Sequence, residues 1–263
     1  MELVPVRVAG HDVRIAVDRA GGGAGAPLVF LHGLGSSSTT GLRPIAEHPS
    51  LAGQPSLLID LPGFGESPAP GAWPATIEAH AAAVVAVLDA LHVDRAALVG
   101  HSMGGSVGIA LAHRWPGRAG RLIVAEPLLD PGVGTLSAHI ARQSEATFVR
   151  RGFAALRMAT RRQAARDDVA AIGFLRTLER ADPAVMHRSA VSLLAERRPS
   201  FREQLTTLAI PRVFIAGARS GIDATPLGAG GVTTVTIPGA GHSLMDENPD
   251  GFARAIAAAS RHP

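Results

Sequence analysis

Ser102 stands in the run Gly100-His101-Ser102-Met103-Gly104. An apolar stretch (Ala96, Ala97, Leu98, Val99) leads into it, and apolar residues at helical spacing (Val107, Ile109, Ala110, Leu111) follow it. The pattern reads as a strand, a very tight turn and a helix, the arrangement that lifts a serine Oγ above a sheet. A Cβ at Gly100 or Gly104 would collide with the neighbouring strand or helix, and the serine itself is pushed into a strained backbone geometry. At a helix N-terminus the helix dipole favours developing negative charge. A serine hydroxyl is a weak nucleophile at neutral pH and needs a base within hydrogen-bond reach, and histidine suits that task because its pKa lies near operating pH. The chain has 11 His, so position must choose among them.

The elements that must position these groups are legible in the hydrophobic pattern. Residues 3 to 9 and 13 to 17 alternate around Gly10-His11-Asp12 and read as a hairpin. After a flexible loop, Gly21 to Ala26, the continuous apolar run 27 to 31 reads as a buried parallel strand, followed directly by His32-Gly33-Leu34-Gly35. Leu57-Leu58-Ile59 is a second buried strand, ending at Asp60-Leu61-Pro62-Gly63-Phe64-Gly65-Glu66-Ser67. Residues 76 to 91 form an amphipathic helix, 96 to 99 a third central strand, Leu122 to Ala125 a fourth ending at Glu126-Pro127, Val213 to Ala216 a fifth and Val232 to Ile237 a sixth. A helix over 252 to 259, begun by Asn248-Pro249, closes the chain. Strands alternating with helices imply an α/β fold with a mostly parallel sheet covered on both faces. The rhythm breaks between about Pro131 and Leu208, where helical pieces over 136–151, 153–166, 168–180 and 183–197 are punctuated by Pro131-Gly132, Gly152, Asp182-Pro183 and Pro199. The chain therefore divides into a core of 1–130 and 209–263 and an inserted helical cap of 131–208, placed to roof a site. Phe148, Phe153, Met158, Phe174 and Met186 read as the insert's own core.

Composition removes several classes. Hydrophobic residues make up 46% of 263, and mean hydropathy is +0.20, ample for a core. Cysteine is absent, which excludes disulfides, thiolate metal sites and a cysteine nucleophile. Met1-Glu2-Leu3-Val4-Pro5 shows no signal-peptide pattern, and no apolar run approaches the ~20 residues of a membrane helix, so a cytoplasmic protein without membrane partners is expected. The pI of 10.9 comes from 25 basic residues that are all Arg, against a formal charge of only +3, and is not a nucleic-acid signal. No dinucleotide or phosphate-loop motif follows a strand, and the histidines are scattered, so neither cofactor nor metal is expected.

Four motifs in order, His32-Gly33-Leu34-Gly35, Asp60-Leu61-Pro62-Gly63-Phe64-Gly65, Gly100-His101-Ser102-Met103-Gly104-Gly105 and Gly239-Ala240-Gly241-His242, resemble the α/β-hydrolase superfamily over nearly the whole chain. The resemblance implies an α/β-hydrolase fold with Ser102 as nucleophile and His242 as base, since the loop after the last strand lies over the elbow in that fold. It implies an oxyanion hole from the backbone N–H groups of Met103 and Leu34. His101 then reads as a packing residue, His32 as a brace for the oxyanion loop, Asp60 as a turn anchor and Phe64 as a pocket wall. The chain departs from the commonest pattern at the acid: Ser220 occupies the usual place beyond Gly217. Glu126, at the end of the fourth strand, and Asp223, slightly past Ser220, are both candidates, and either keeps the order Ser, acid, His.

The resemblance implies a cofactor-free serine hydrolase cleaving an apolar ester or lactone through an acyl-enzyme, in a monomer or homodimer. The acid after the fourth central strand, with a helical cap, is similar to the layout of hydrolases of bulky polyketide-type lactones. C–C bond hydrolysis or acyl transfer on the same triad, and a non-catalytic small-molecule receptor, are the alternative readings. Thirteen Arg against seven Asp or Glu over 132–208 leave an acidic substrate open.

Overall fold

A computed structural model describes residues 1–23, 25–130 and 135–261, apart from the Thr135 side chain. Ala24, in the expected loop 21–26, and Pro131-Gly132, expected to open the insert, lie outside the described residues. β1 (Glu2–Val8) and β2 (His11–Ala20) form the expected hairpin across Ala9-Gly10, whose φ angles are +48° and +87°. Two successive left-handed residues twist the turn to match paired strands. β3 (Leu28–Leu31), β4 (Ser56–Ile59), β5 (Ala96–His101), β6 (Ala119–Ala125), β7 (Arg212–Gly217) and β8 (Thr233–Ile237) complete an eight-stranded sheet in the order β1-β2-β4-β3-β5-β6-β7-β8. β2 meets β4 antiparallel, and every pairing from β4 to β8 is parallel.

The helices are α1 (Arg43–Ala46), α2 (Ile77–Ala90), α3 (Met103–Arg114), α4 (Thr135–Ala141), α5 (Glu145–Thr147), α6 (Phe153–Ala164), α7 (Val169–Leu178), α8 (Pro183–Leu194), α9 (Phe201–Thr207), α10 (Thr225–Ala229), α11 (Leu244–Glu247) and α12 (Pro249–Arg261). Every residue of β3 and β4 is buried, as uninterrupted apolar strands require when helices cover both faces. One apolar core joins Val84 and Leu88 of α2 to Val107 and Leu111 of α3, and the other joins Ile45 of α1 to Phe252 and Ile256 of α12.

Between β6 and β7 the described elements, α4 to α9, are all helical. The helix expected over 136–151 is broken: α4 stops at Ala141, and Ser144 accepts the Thr147 N–H and starts a new turn. Such a side-chain cap offers the backbone an alternative to continuing the helix. Asp168 and Asp182 cap α7 and α8 in the same way. Composition left α9 unread, although Ser200 and Glu203 form a capping box that marks its start.

Two buried polar groups tie the loops together. The Asp60 carboxylate, fully buried after β4, accepts from Ser37 Oγ, Ser38 N and Thr39 N on one oxygen and from Thr39 Oγ1 and Glu66 N on the other, at 2.7 to 3.0 Å. It thereby fastens the loop after β3 to the loop after β4. Phe64, expected at a pocket wall, is instead fully buried between His32 and His80, because its ring fills the space under that loop. His80 of α2 is buried, with Nε2 2.9 Å from Ser189 Oγ of α8, and joins core to insert. Burial, aided by nearby His32, lowers the His80 pKa to about 3. His101 falls to about 3 mainly by burial, with His242 second, and burial also lowers His32.

Asp60→Asn removes charge and turns one acceptor into a donor facing donors, so a loss of about 3 kcal/mol is expected in urea unfolding. An unchanged midpoint would refute the hub role of Asp60. The buried histidines set a second expectation. Their folded pKa values lie below that of free histidine, so the unfolded chain binds more protons between pH 6.5 and about 3, and stability falls as pH drops through that window. His80→Gln, which keeps a polar side chain beside Ser189, is expected to flatten the urea-midpoint slope between pH 7 and 4.5. An equally steep slope would remove His80 from the account.

Candidate active site

The elbow is built as its glycines demand. Ser102 has φ +52° and ψ −119°, a strained conformation for a residue with a side chain, and its N–H donates to Ala125 O at 2.8 Å. A Cβ on Gly104 would lie 2.1 Å from Leu31 O, and one on Gly100 2.4 Å from Gly104 O. Only glycine lets β3, β5 and α3 approach this closely. Ser102 is the N-cap of α3, and Met103 is its first residue, where helix N–H groups have no partner inside the helix. The loop after β3 runs against the elbow, since a Cβ on Gly33 would lie 3.2 Å from Ser102 Cβ. Leu34 and Met103 both line the cavity above Ser102.

Glu126 follows β6 with φ +50°, a second strained residue, and its N–H still donates to Ile215 O of β7 at 3.1 Å. Its side chain is 1% exposed. Oε1 accepts the Gly217 N–H at 2.8 Å, and Oε2 lies 2.9 Å from His242 Nδ1. Burial pushes the Glu126 pKa up, but the bonds from His242 and Gly217 outweigh it and hold the carboxyl below the usual range. With Nδ1 bonded to Glu126, His242 turns Nε2 outward, and its side chain is 56% exposed. Ser102, Glu126 and His242 line one cavity of about 580 Å3. Among the described residues Ser102 Oγ has no hydrogen-bond partner in this resting geometry, and such catalytic contacts often close only with substrate.

Asp223 stands apart. Its carboxylate is exposed, accepts the Thr225 N–H at 2.9 Å, and does not line the cavity. Ser220, in the usual place of the acid beyond Gly217, lines it instead. His32 holds the loop as expected: Nδ1 is 2.8 Å from Gly33 O, and Nε2 accepts the Leu61 N–H at 3.0 Å.

His101 does more than pack. Its Nε2 donates to His242 O at 2.8 Å, and the two rings lie 4.9 Å apart. Glu247 was also missed by sequence reasoning: Oε2 accepts the Gly241 N–H at 2.7 Å and Oε1 pairs with Arg219 at 2.5 Å, fixing the loop that carries His242. The one sequence signal for it is its place on the turn between His242 and Asn248-Pro249.

The insert supplies the roof. Phe174 lines the cavity, and a Cβ on Gly35 would lie 3.1 Å from its ring. Phe148 and Met186 are buried as expected, whereas Met158 is 51% exposed because α6 turns that face to solvent. Exposed wall residues, Gln163 and Asp168 on the insert and Ile222 and His242 on the core, mark the mouth. Of the insert's arginines, Arg202 alone lines the cavity among the described residues, and it is bound to Asp130 through Nε and Nη2 at 2.9 and 2.6 Å. The arginine excess therefore does not offer a free cation inside.

A model of the alpha/beta hydrolase family matches residues 28–255. The fold is similar to that of a thermophilic esterase from Thermogutta terrifontis, 23% identical with a TM-score of 0.82 over 99% of this chain and 98% of that one. It is also similar to an enol-lactonase from Burkholderia xenovorans LB400, 22% identical with a TM-score of 0.76 over 98% and 100% of the two chains. In sequence, a 2-hydroxy-6-oxo-2,4-heptadienoate hydrolase of Pseudomonas putida is 36% identical over 103 residues, 39% of this chain and 37% of the relative. A 2-hydroxy-6-oxononadienedioate/2-hydroxy-6-oxononatrienedioate hydrolase of Burkholderia vietnamiensis is 33% identical over 138 residues, 52% of this chain and 46% of the relative. The chain thus matches less than half the length of either. With the family match spanning most of the chain and the eight-stranded sheet beneath it, the chain belongs to the alpha/beta hydrolase family.

Proposed function

We propose that the protein is a serine hydrolase that cleaves an uncharged carboxylic ester or lactone through an acyl-enzyme. The observation that carries this reading is the hydrogen bond between the buried Glu126 and His242 beside a strained Ser102 in one cavity. Ser102 Oγ attacks the carbonyl carbon, and the carbonyl π electrons move onto oxygen. His242 takes the hydroxyl proton at Nε2, the nitrogen left open when Nδ1 donates to Glu126. Glu126 is held ionised, so it fixes that tautomer and stabilises the imidazolium. The backbone N–H groups of Leu34 and Met103 receive the oxyanion. His242 returns its proton to the leaving oxygen, and a water activated by the same imidazole cleaves the acyl-enzyme.

A second reading, C–C bond hydrolysis of a dienoate, is favoured by the sequence relatives, whose names denote carboxylate-bearing substrates. The charges of the cavity favour the first. Its wall carries Glu126, Asp130, Asp168 and Asp246, and its one arginine among the described residues is held by Asp130. A substrate carboxylate would lose its hydration there without gaining a free cation. Its volume suits a small molecule of ordinary ligand size.

The deciding experiment is steady-state hydrolysis of short-chain p-nitrophenyl esters and a lactone panel, beside a dienoate, with folding checked by circular dichroism. Ser102→Ala and Glu126→Ala are expected to lose about 100-fold or more in kcat, with Asp223→Ala within about threefold of wild type. An inactive, folded Asp223→Ala would move the acid to Asp223. Turnover of the dienoate alone would install the C–C reading. For substrate charge, a neutral ester is expected to exceed its ω-carboxylate analogue by about tenfold or more in kcat/KM. Equal rates would remove the electrostatic argument.

A further inference from the structure

Four carboxylates line the cavity, and three have evident partners. Glu126 holds His242, Asp130 holds Arg202, and Asp168 accepts the Ala171 N–H at the start of α7. Asp246 does not fit this pattern. It lies on α11, four residues past His242, with its side chain 14% exposed. Its one hydrogen bond among the described residues comes from Arg176 Nη2 at 3.4 Å, and that arginine is itself 58% exposed. An exposed contact of that length contributes little. An ionised carboxylate has room for about four donors, and the described protein groups supply that of Asp246 with one.

The α7 backbone lies directly on the carboxylate, since a Cβ on Gly173 would fall 2.0 Å from Oδ1 and 2.3 Å from Oδ2. Phe174, Met245 and Ile222, all apolar, line the same cavity as Asp246. Burial pushes the Asp246 pKa up to about 6, as expected of a carboxyl that lacks donors. A carboxylate that lines a cavity and receives few protein donors can accept a hydrogen bond from a ligand donor placed there.

We infer that Asp246 is a specificity-determining residue that accepts a hydrogen bond from an uncharged hydroxyl on the substrate, remote from the scissile carbonyl. The inference rests on the ester or lactone reading for its substrate class. A hydroxyl is assigned rather than an ammonium because the reading on which the inference rests takes an uncharged ester or lactone. Sites built around a substrate hydroxyl discriminate strongly against analogues without one, because the protein group is then left unpaired.

The test compares p-nitrophenyl butanoate, hexanoate and octanoate with their ω-hydroxy and ω-ammonio analogues, using wild type, Asp246→Ala and Asp246→Leu. The second variant keeps the side-chain shape and removes the acceptors. The expected result is a kcat/KM ratio of hydroxy ester to parent of about tenfold or more at one chain length in wild type, collapsing toward one in both variants. No preference in wild type at any length, a ratio that survives in the variants, or a preference for the ammonium analogue would overturn the assignment. Ligand-observed NMR with Ser102→Ala and Ser102→Ala/Asp246→Ala, using the matched methyl esters, reads the same ratio without turnover. If wild type hydrolyses no ester, the serine-hydrolase reading fails, while the NMR ratio still decides for or against Asp246.

Discussion

A carboxylate buried at the end of a strand stays ionised only if donors face it, and Glu126 has two from different parts of the chain. Gly217 N ends β7, and His242 Nδ1 comes from the loop after β8. The requirement to satisfy this one side chain therefore fixes how β6, β7 and the His242 loop sit together. The Glu126 backbone takes a left-handed conformation while its N–H still pairs with Ile215. Strain of this kind persists only where the surroundings over-determine it. The same holds one strand away at Ser102, whose N–H is anchored to the residue just before Glu126. Ser102 and Glu126 are thus both held by distorted ends of adjacent parallel strands. That is where an open α/β sheet presents groups to a ligand.

This geometry explains what was legible in the sequence. Parallel strands buried on both faces read as unbroken apolar runs, so β3, β4 and β5 could be placed from hydrophobicity alone. The glycines at 100 and 104 are demanded by contacts near 2 Å with backbone, which no other residue tolerates, so the elbow left a local signature. Glu126 was legible as a candidate because a carboxylate closing an aliphatic strand needs a reason. Sequence could not choose between Glu126 and Asp223, since the choice depends on which one the His242 loop meets after more than a hundred intervening residues. The breaks in the insert were less legible because a single serine cap at 144 outweighs an otherwise continuous helical pattern. The parts played by His101, Glu247 and Asp246 were hidden for the same reason as the acid: each acts through a tertiary contact with no local pattern.

The insert meets the loops around the candidate site through α7 and α8, with Met186 of α8 beside Phe174 at Gly35. On one side of the cavity α7 sets Phe174 against Gly35, in the loop that carries Leu34, and on the other it lays Gly173 on Asp246, just past His242. Any shift of α7 therefore disturbs the loop that carries Leu34 and the stretch just past His242 together. His80, bonded to Ser189 of α8, and the Asp60 hub resist such a shift from below by fixing the core loops on which the insert rests. The cavity is shaped by rigid contacts rather than by its aromatic content, which is low in this chain at 4%.

The charge distribution separates two questions that composition runs together. The arginine excess belongs mostly to the outer face of the insert, where Arg157 and Arg161 meet Glu179 and Arg180 meets Glu66. Exposed pairs of that kind are screened and contribute little either to stability or to recognition of a buried ligand. Inside, the balance reverses, with four carboxylates on the wall and one arginine, held by an aspartate, among the described residues. A low-dielectric cavity magnifies that local balance far more than the net +3 of the chain. The charge that a ligand would meet is therefore that of a handful of wall residues, and not that of the outer arginines.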